Sequence, residues 1–249
     1  MSFSWGLFSN LLLAHLASDF FLQTEKMVDN KNRRHMLGYA IYKHVVIVVL
    51  LSWGAAGYVD FLPYALLIGG THWAIDLAKV CFKKHPLWPF VADQVFHLLV
   101  LAWATVHCQA GWEQWGLIPL NMAASLPLIC AAMVFLSTPS NILIREVFDS
   151  RKAPIGDFAI TVPKSEKEAL PRLKDVGALI GTLERFLTFV FVLNGNYQAV
   201  GFIVAAKSIL RFRESEGARA EYVLVGTLLS FSIAVLCAWA VLWIKHECL

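Results

Sequence analysis

The sequence predicts an all-α, polytopic transmembrane bundle of about eight spanning helices, with the N- and C-termini both on the outer side. Three observations predict it. Hydrophobic residues make up 58% of the 249 positions and charged residues 16%, and the mean hydropathy is +0.60. Eight stretches approach the ~20 mostly apolar residues that a spanning helix needs: residues 5–24, 38–58, 63–82, 88–108, 117–137, 176–194, 197–213 and 222–244. Lysine and arginine alternate from loop to loop, as the positive-inside rule requires.

Residues 5–24 have no basic leader and no small-residue cleavage site, so the first helix is expected to be a permanent anchor rather than a cleaved signal. The loop after it carries Lys26, Lys31, Arg33 and Arg34, and the loop after the third stretch carries Lys79, Lys83 and Lys84. The loop after the fifth carries Arg151, Lys152, Lys164, Lys167, Arg172 and Lys174, and the one after the seventh Arg211, Arg213 and Arg219. The loops between, near Asp60, at 109–115 and at 194–197, hold neither Lys nor Arg. The basic loops are therefore placed in the cytoplasm. Trp112 and Trp115 fit an outer aromatic belt and Trp88 an inner one.

Two modules are expected, residues 1–110 and 111–249. The first reads as two related hairpins. LLLAHLASDFFLQ (11–23) parallels LIGGTHWAIDLAK (67–79), and YKHVVIVVLLSW (42–53) parallels VFHLLVLAWATV (95–106). Duplication and chance similarity both remain open. In the second module, Thr138-Pro139-Ser140-Asn141 predicts a helix break and restart. A cytoplasmic loop at about 149–177 holds Pro154, Pro163 and Pro171, with a capping-box pattern at Ser165–Glu168 that predicts a short surface helix. This loop reads as a solvated connector. A protein partner docking there, and a homo-oligomer, stand as alternatives. The cysteines (Cys81, Cys108, Cys130, Cys237, Cys248) are scattered, odd in number and read as small apolar fillers. A net charge of +3 without a basic stripe excludes a nucleic-acid partner.

The chemistry is carried by three histidine–aspartate pairs four residues apart: His15/Asp19, His72/Asp76 and, reversed, Asp93/His97. Four residues is about one helical turn, so each pair shares a helix face. A carboxylate inside a membrane is costly unless paired, hydrated or bound to a cation. The reversed order on the fourth helix is what an antiparallel helix needs to bring like residues to like depth, and His44 falls at the same depth. Imidazole and carboxylate are ligands for zinc foremost, and for iron or manganese. His15, His72 and His97 are expected to bind a divalent metal directly. Asp76 and Asp93 are expected as ligands or catalytic bases, with Asp19 and His44 orienting the ligands. His35, His85, His107 and His246 read as surface residues. Lys79 and Gln94, beside the cluster, could meet a headgroup phosphate; interfacial snorkelling explains Lys79 equally well. A secondary polar site is expected from Glu184, Arg185 and Lys207, with Glu184 paired to Lys207 for packing or gating.

The runs AHLASDFFLQTEKM, THWAIDLAK and ADQVFHL resemble an uncharacterised family of bacterial multi-pass membrane proteins, a "domain of unknown function" family, over about residues 8–105. The resemblance implies a bacterial inner-membrane location and carries no activity with it. The HxxxD pattern also looks like the polar motifs of membrane-bound metal-dependent hydrolases. No HExxH, GxSxG or P-loop pattern is present, nor the clustered HxxHH boxes of lipid desaturases. The leading expectation is a metal-dependent hydrolase acting on a lipid or lipid-linked substrate at the cytoplasmic leaflet. The alternatives are a transporter or channel for a metal cation or protons, and a non-catalytic membrane subunit. The transporter reading is weakened because neither half shows Gly/Pro-interrupted spans.

Overall fold

The computed structural model describes residues 3–34, 38–81, 87–108, 125–150, 170–212 and 218–248. Every described element is helical: α1 Trp5–Ala17, continued by a π-helical segment Ser18–Leu22; α2 Glu25–Arg34; α3 Tyr39–Ala56; a 3-10 turn Val59–Phe61; α4 Leu62–Cys81; α5 Leu87–His107; α6 Ser125–Leu136; α7 Thr138–Ser150; α8 Leu170–Leu193; α9 Tyr197–Phe212; and α10 Ala218–Cys248.

Among the described residues, four helices are long and apolar enough to cross a membrane: Trp5–Leu22, Tyr39–Ala56, Leu87–His107 and Leu224–His246. A fifth crossing results if α6 and α7, bent by 40° at their junction, count as one span. Each of the eight apolar stretches contains a described helix. The 20 residues of α4 fall short of this criterion because they include Thr71, His72, Asp76 and Lys79. Helix α8 carries Glu184 and Arg185 within its apolar run.

The chain forms two compact units, one of residues 1–134 with 244–249 and one of 135–243. In the first, α3 packs along α1 and α4, and α5 packs along α4 and α1, closing a four-helix ring. The Ser4 side chain caps α1 by accepting the Leu7 N–H at 3.4 Å. Helix α3 stops at Gly57, whose φ of +78° suits a residue without Cβ and directs its N–H to the Trp53 carbonyl. The α3–α4 corner is tied to the end of α5, because Tyr58 Oη donates to the Cys108 carbonyl at 3.1 Å and Tyr64 Oη to the His107 carbonyl at 3.2 Å. Gly69 lets α4 approach α3 closely, since a Cβ there would collide with the Val49 side chain. One half of the ring is dry, filled by Leu7, Leu11, Val48, Ala56, Phe61, Ala65, Ile68, Leu101 and Ala104.

Two features differ from the sequence reading of this unit. The basic segment after the first helix is itself a helix, α2, which packs on α3 and buries Met27 and Lys31. Asp19 lies in a π-helical continuation of α1, Ser18–Leu22, rather than in a further α-turn. His35, His85, Trp112, Trp115 and the Ser165–Glu168 capping box lie outside the described residues.

In the second unit the expected break falls at Ser137: α6 ends at Leu136 and α7 restarts at Thr138-Pro139. An interrupted helix is therefore present, contrary to the expectation that the second half lacks one. Most of the expected loop at about 149–177 lies outside the described residues, and α8 begins at Leu170, inside its expected bounds. Gly195, at φ +69°, turns α8 into α9. Arg185 is almost fully buried and holds the break together. Its Nε donates to the Leu136 carbonyl at 2.7 Å, Nη1 to Ser230 Oγ at 3.1 Å, and Nη2 to Asn141 Oδ1 at 2.6 Å and Thr182 Oγ1 at 3.0 Å. A guanidinium suits carbonyls at a helix C-terminus both as a donor and as a charge against the helix dipole. Lys207 pairs with Glu184 and lies 5.7 Å from the Phe231 ring centroid. Arg185 thus separates from the polar trio expected in sequence: it clamps the helix break, and the other two pair.

Replacing Arg185 with Met removes these bonds and leaves carbonyls unsatisfied. A loss of about 3 kcal/mol is expected, against about 1 kcal/mol for Ser230→Ala. Thermal unfolding in detergent checks this, and an Arg185→Met protein that unfolds at the wild-type temperature would discount the clamp.

Candidate metal centre

The ring of α1, α3, α4 and α5 stacks its inward side chains in layers. Leu11, Val48, Ile68 and Leu101 are all buried, and each lies four residues from a histidine on its own helix: His15, His44, His72 and His97. Four residues further along, in the same sense, come Asp19, Ala40, Asp76 and Asp93. Since i and i+4 share a face, the ring carries an apolar layer, then four imidazoles, then three carboxylates and one alanine. All four histidines are at most 3% exposed. Their rings touch: His72 stacks on His97 at 4.0 Å between centroids, and His15 lies 5.0 Å from His97 and 5.7 Å from His72. His44 lies 4.9 Å from His72.

Three ligand atoms converge. His44 Nε2 and His72 Nε2 are 3.0 Å apart, and Asp19 Oδ1 is 3.3 Å from the first and 3.5 Å from the second. Zinc bonds of about 2.0–2.1 Å place tetrahedral ligands about 3.3 Å apart, so this triangle has the edge lengths of one face of a zinc site. His15 Nδ1 approaches the same Asp19 oxygen at 3.9 Å, and Asp76 Oδ2 approaches His72 Nε2 at 3.9 Å. The π-helical segment contributes to this placement. The Ser18 hydroxyl donates to the His15 carbonyl at 2.8 Å and lies 3.1 Å from Asp19 Oδ1, where it steadies the carboxylate. Single π turns inside helices are frequent at functional sites.

The other two carboxylates carry ammonium partners. Lys31 Nζ donates to Asp76 Oδ2 at 2.8 Å in a buried pair. Lys79 Nζ donates to Asp93 Oδ2 at 2.7 Å, and Gln94 Nε2 donates to the same oxygen at 3.0 Å. Lys79 therefore meets a carboxylate, in place of the phosphate or free interface considered for it. Asp93 Oδ1 and His97 Nε2 are buried and face each other at 3.4 Å, a loose contact, with no closer hydrogen-bond partner for either. His15 Nε2 and His44 Nδ1 are buried and unpartnered.

All seven residues expected at the site are brought together: His15, Asp19, His44, His72, Asp76, Asp93 and His97. They form three overlapping sets with ligand atoms within 4.8 Å of one another: His15/Asp19/His72, His44/His72/Asp76 and Asp76/Asp93/His97. Asp19, assigned an orienting role in the sequence reading, lies closest to the imidazoles. His107 is exposed and stacks on Trp103 at 4.5 Å, away from the cluster, and His246 is exposed. Lys31 is the participant that sequence reasoning missed. Its signal was the Met27/Lys31 spacing, which marks a buried face on α2.

Lys31→Met strands the Asp76 carboxylate inside the protein. Stability should fall by about 3 kcal/mol. Adding Asp76→Asn should restore most of the loss, with a coupling of about 1.5–3 kcal/mol across the double-mutant cycle. Additive losses in thermal unfolding would exclude the pairing.

No match to this chain is found among curated proteins or solved structures. Residues 7–118, which span α1 to α5 and hold every member of the His/Asp cluster, match an uncharacterised family, the Protein of unknown function (DUF3307) family.

Proposed function

We propose that this is a membrane-embedded divalent-metal enzyme, a metal-dependent hydrolase acting on a lipid or lipid-linked substrate at the cytoplasmic leaflet of a bacterial inner membrane. The observation that carries the reading is the triangle of His44 Nε2, His72 Nε2 and Asp19 Oδ1, with sides of 3.0, 3.3 and 3.5 Å. Two imidazoles and one carboxylate are the protein ligands of many catalytic zinc centres, which keep a further position open. Zinc suits this donor set best, with iron or manganese as alternatives. Such a metal supplies a nucleophile from water near neutral pH and polarises the bond under attack.

The remaining residues have roles around it. His15 completes the imidazole layer and fixes Asp19. Asp76 and Asp93 border the open side as ligands or proton acceptors, and Asp93 Oδ1 has only its loose contact with His97 to displace. The dry layer of Leu11, Val48, Ile68 and Leu101 closes the opposite side. That closure favours entry from one face, which suits an enzyme. The lysine-bearing ends of the ring, with Lys31 and Lys79, then face the cytoplasm by the positive-inside rule. Eight crossings with both termini outside complete the arrangement.

A second reading, transit of a cation, is favoured by one observation. The three ligand sets share His72 and Asp76, so a cation could pass from one set to the next.

Full-length protein purified in mild detergent without chelator should hold close to one zinc, iron or manganese per chain by inductively coupled plasma mass spectrometry. His44→Ala/His72→Ala should lose it. Loaded protein should release product from a panel of bilayer lipids, and Asp76→Asn and Asp93→Asn should each abolish release while the metal at Asp19 stays bound. A wild type that remains metal-free after reconstitution sinks the proposal. Metal uptake into vesicles without any product would select transit.

A further inference from the structure

The set Asp76, Asp93 and His97 has a distinct chemistry from the Asp19 triangle. It is richer in carboxylate, its ligand atoms lie within 4.8 Å of one another, and its residues are at most 4% exposed. Two of its ligand atoms, Asp93 Oδ1 and His97 Nε2, are buried and lie 3.4 Å apart with no closer hydrogen-bond partner. At that separation each satisfies the other only weakly, and a carboxylate oxygen and an imidazole nitrogen with no closer partner are costly inside an apolar bundle. Neighbouring ligands on one metal are separated by about the same distance. The lysines leave these atoms open, because both Lys79 and Gln94 take the other oxygen of Asp93.

We propose that Asp76, Asp93 and His97 form a second divalent-cation site, which Lys31 and Lys79 hold neutral until a cation exchanges for them. This deepens the metal-centre reading above and makes the centre dinuclear when fully loaded. The charges balance. Three aspartates and two lysines leave the cluster at −1 with neutral imidazoles, and one divalent ion at Asp19 brings it to +1. A second divalent ion equals the two ammonium charges it replaces, so the fully loaded centre with both lysines withdrawn is again +1. Withdrawal is feasible for each. Lys79 is one-third exposed. Lys31 sits on the short helix α2, outside the four-helix ring. The His72–His97 stack at 4.0 Å lies between the sites and gives each one imidazole. Two metals about 3.5–4 Å apart commonly clamp the attacking and leaving oxygens of a phosphoester or ester.

The test is equilibrium dialysis of the full chain in detergent against buffered zinc, with metal counted by mass spectrometry. Wild type should take one zinc at low free zinc and a second at higher free zinc. Asp93→Asn should lose the second only, and Asp19→Asn the first only. Lys79→Met, which removes a competing ammonium, should shift the second uptake to about tenfold lower free zinc or further. In unmutated protein, acylation of Lys31 by an amine-reactive reagent should rise as the second zinc enters, while the exposed Lys26 stays constant as reference. The proposal is overturned if wild type saturates at one zinc that Asp93→Asn retains, or if Lys31 reactivity ignores the second zinc. A single zinc that Asp93→Asn removes and Asp19→Asn keeps would instead overturn the triangle reading and leave this site standing.

Discussion

The fold of the first unit turns on one constraint: three carboxylates lie inside a helix ring built for an apolar medium. An aspartate at the centre of a membrane helix costs about 2.5–3.5 kcal/mol even on lenient scales. The chain meets that cost differently at each position. Asp76 has Lys31 at 2.8 Å and Asp93 has Lys79 at 2.7 Å. Among the described residues no ammonium pairs with Asp19; imidazoles and the Ser18 hydroxyl surround it. Imidazoles and a carboxylate at these separations are also the donor types of a zinc site. The position lacking a built-in cation is therefore the one where the ligand geometry is tightest.

The same constraint explains the short helix α2. A lysine drawn from water needs a carboxylate at the end of its path and a scaffold to hold it there. Packing α2 on α3 buries Met27 and Lys31 on one face and delivers the ammonium to Asp76 across 45 residues of sequence. In the second unit an isolated cation meets the converse solution. Arg185 is buried with carbonyls, hydroxyls and an amide as its partners, and the broken α6–α7 junction supplies the carbonyls. A helix break and a buried guanidinium each satisfy what the other leaves open.

Much of the site was legible because helix geometry is local. The spacings His15/Asp19, His72/Asp76 and Asp93/His97 fix a shared face without any tertiary information, and the reversed order reports strand direction. His44 carries no partner aspartate and was recoverable only by depth. What was not legible depends on contacts between distant segments or on backbone irregularity. Lys31 reads as one more residue of a basic loop, because the orientation rule accounts for it and the Met27/Lys31 spacing carries meaning only once the segment is known to be helical. The π turn at Ser18–Leu22 has no glycine or proline to announce it. Arg185 sits beside Glu184 in sequence, which invites pairing the two, whereas Glu184 belongs to Lys207 on α9. Hydropathy gave the apolar stretches, but α4 falls below the spanning threshold because Thr71, His72, Asp76 and Lys79 lie within it.

The layers also bear on how the two hairpins compare. On α1 and α4 the order is Leu11, His15, Asp19 and Ile68, His72, Asp76; on α3 and α5 it is Val48, His44, Ala40 and Leu101, His97, Asp93. Eleven of twelve positions keep the same character, as a duplicated hairpin would leave them, and Ala40 is the exception. α2 has no counterpart of its length between α4 and α5, which only five residues separate. The two departures act together. A fourth aspartate at position 40 would lie in the carboxylate layer beneath His44 and demand a third ammonium. With alanine there, the α1–α3 side of the ring is imidazole-rich around a single carboxylate, while the α4–α5 side is carboxylate-rich and lysine-paired. A symmetric ring would give two equivalent sites. This one sets an imidazole-rich ligand set beside a carboxylate-rich one whose charge is already balanced, and on the proposed reading that inequality would let two cations bind in order.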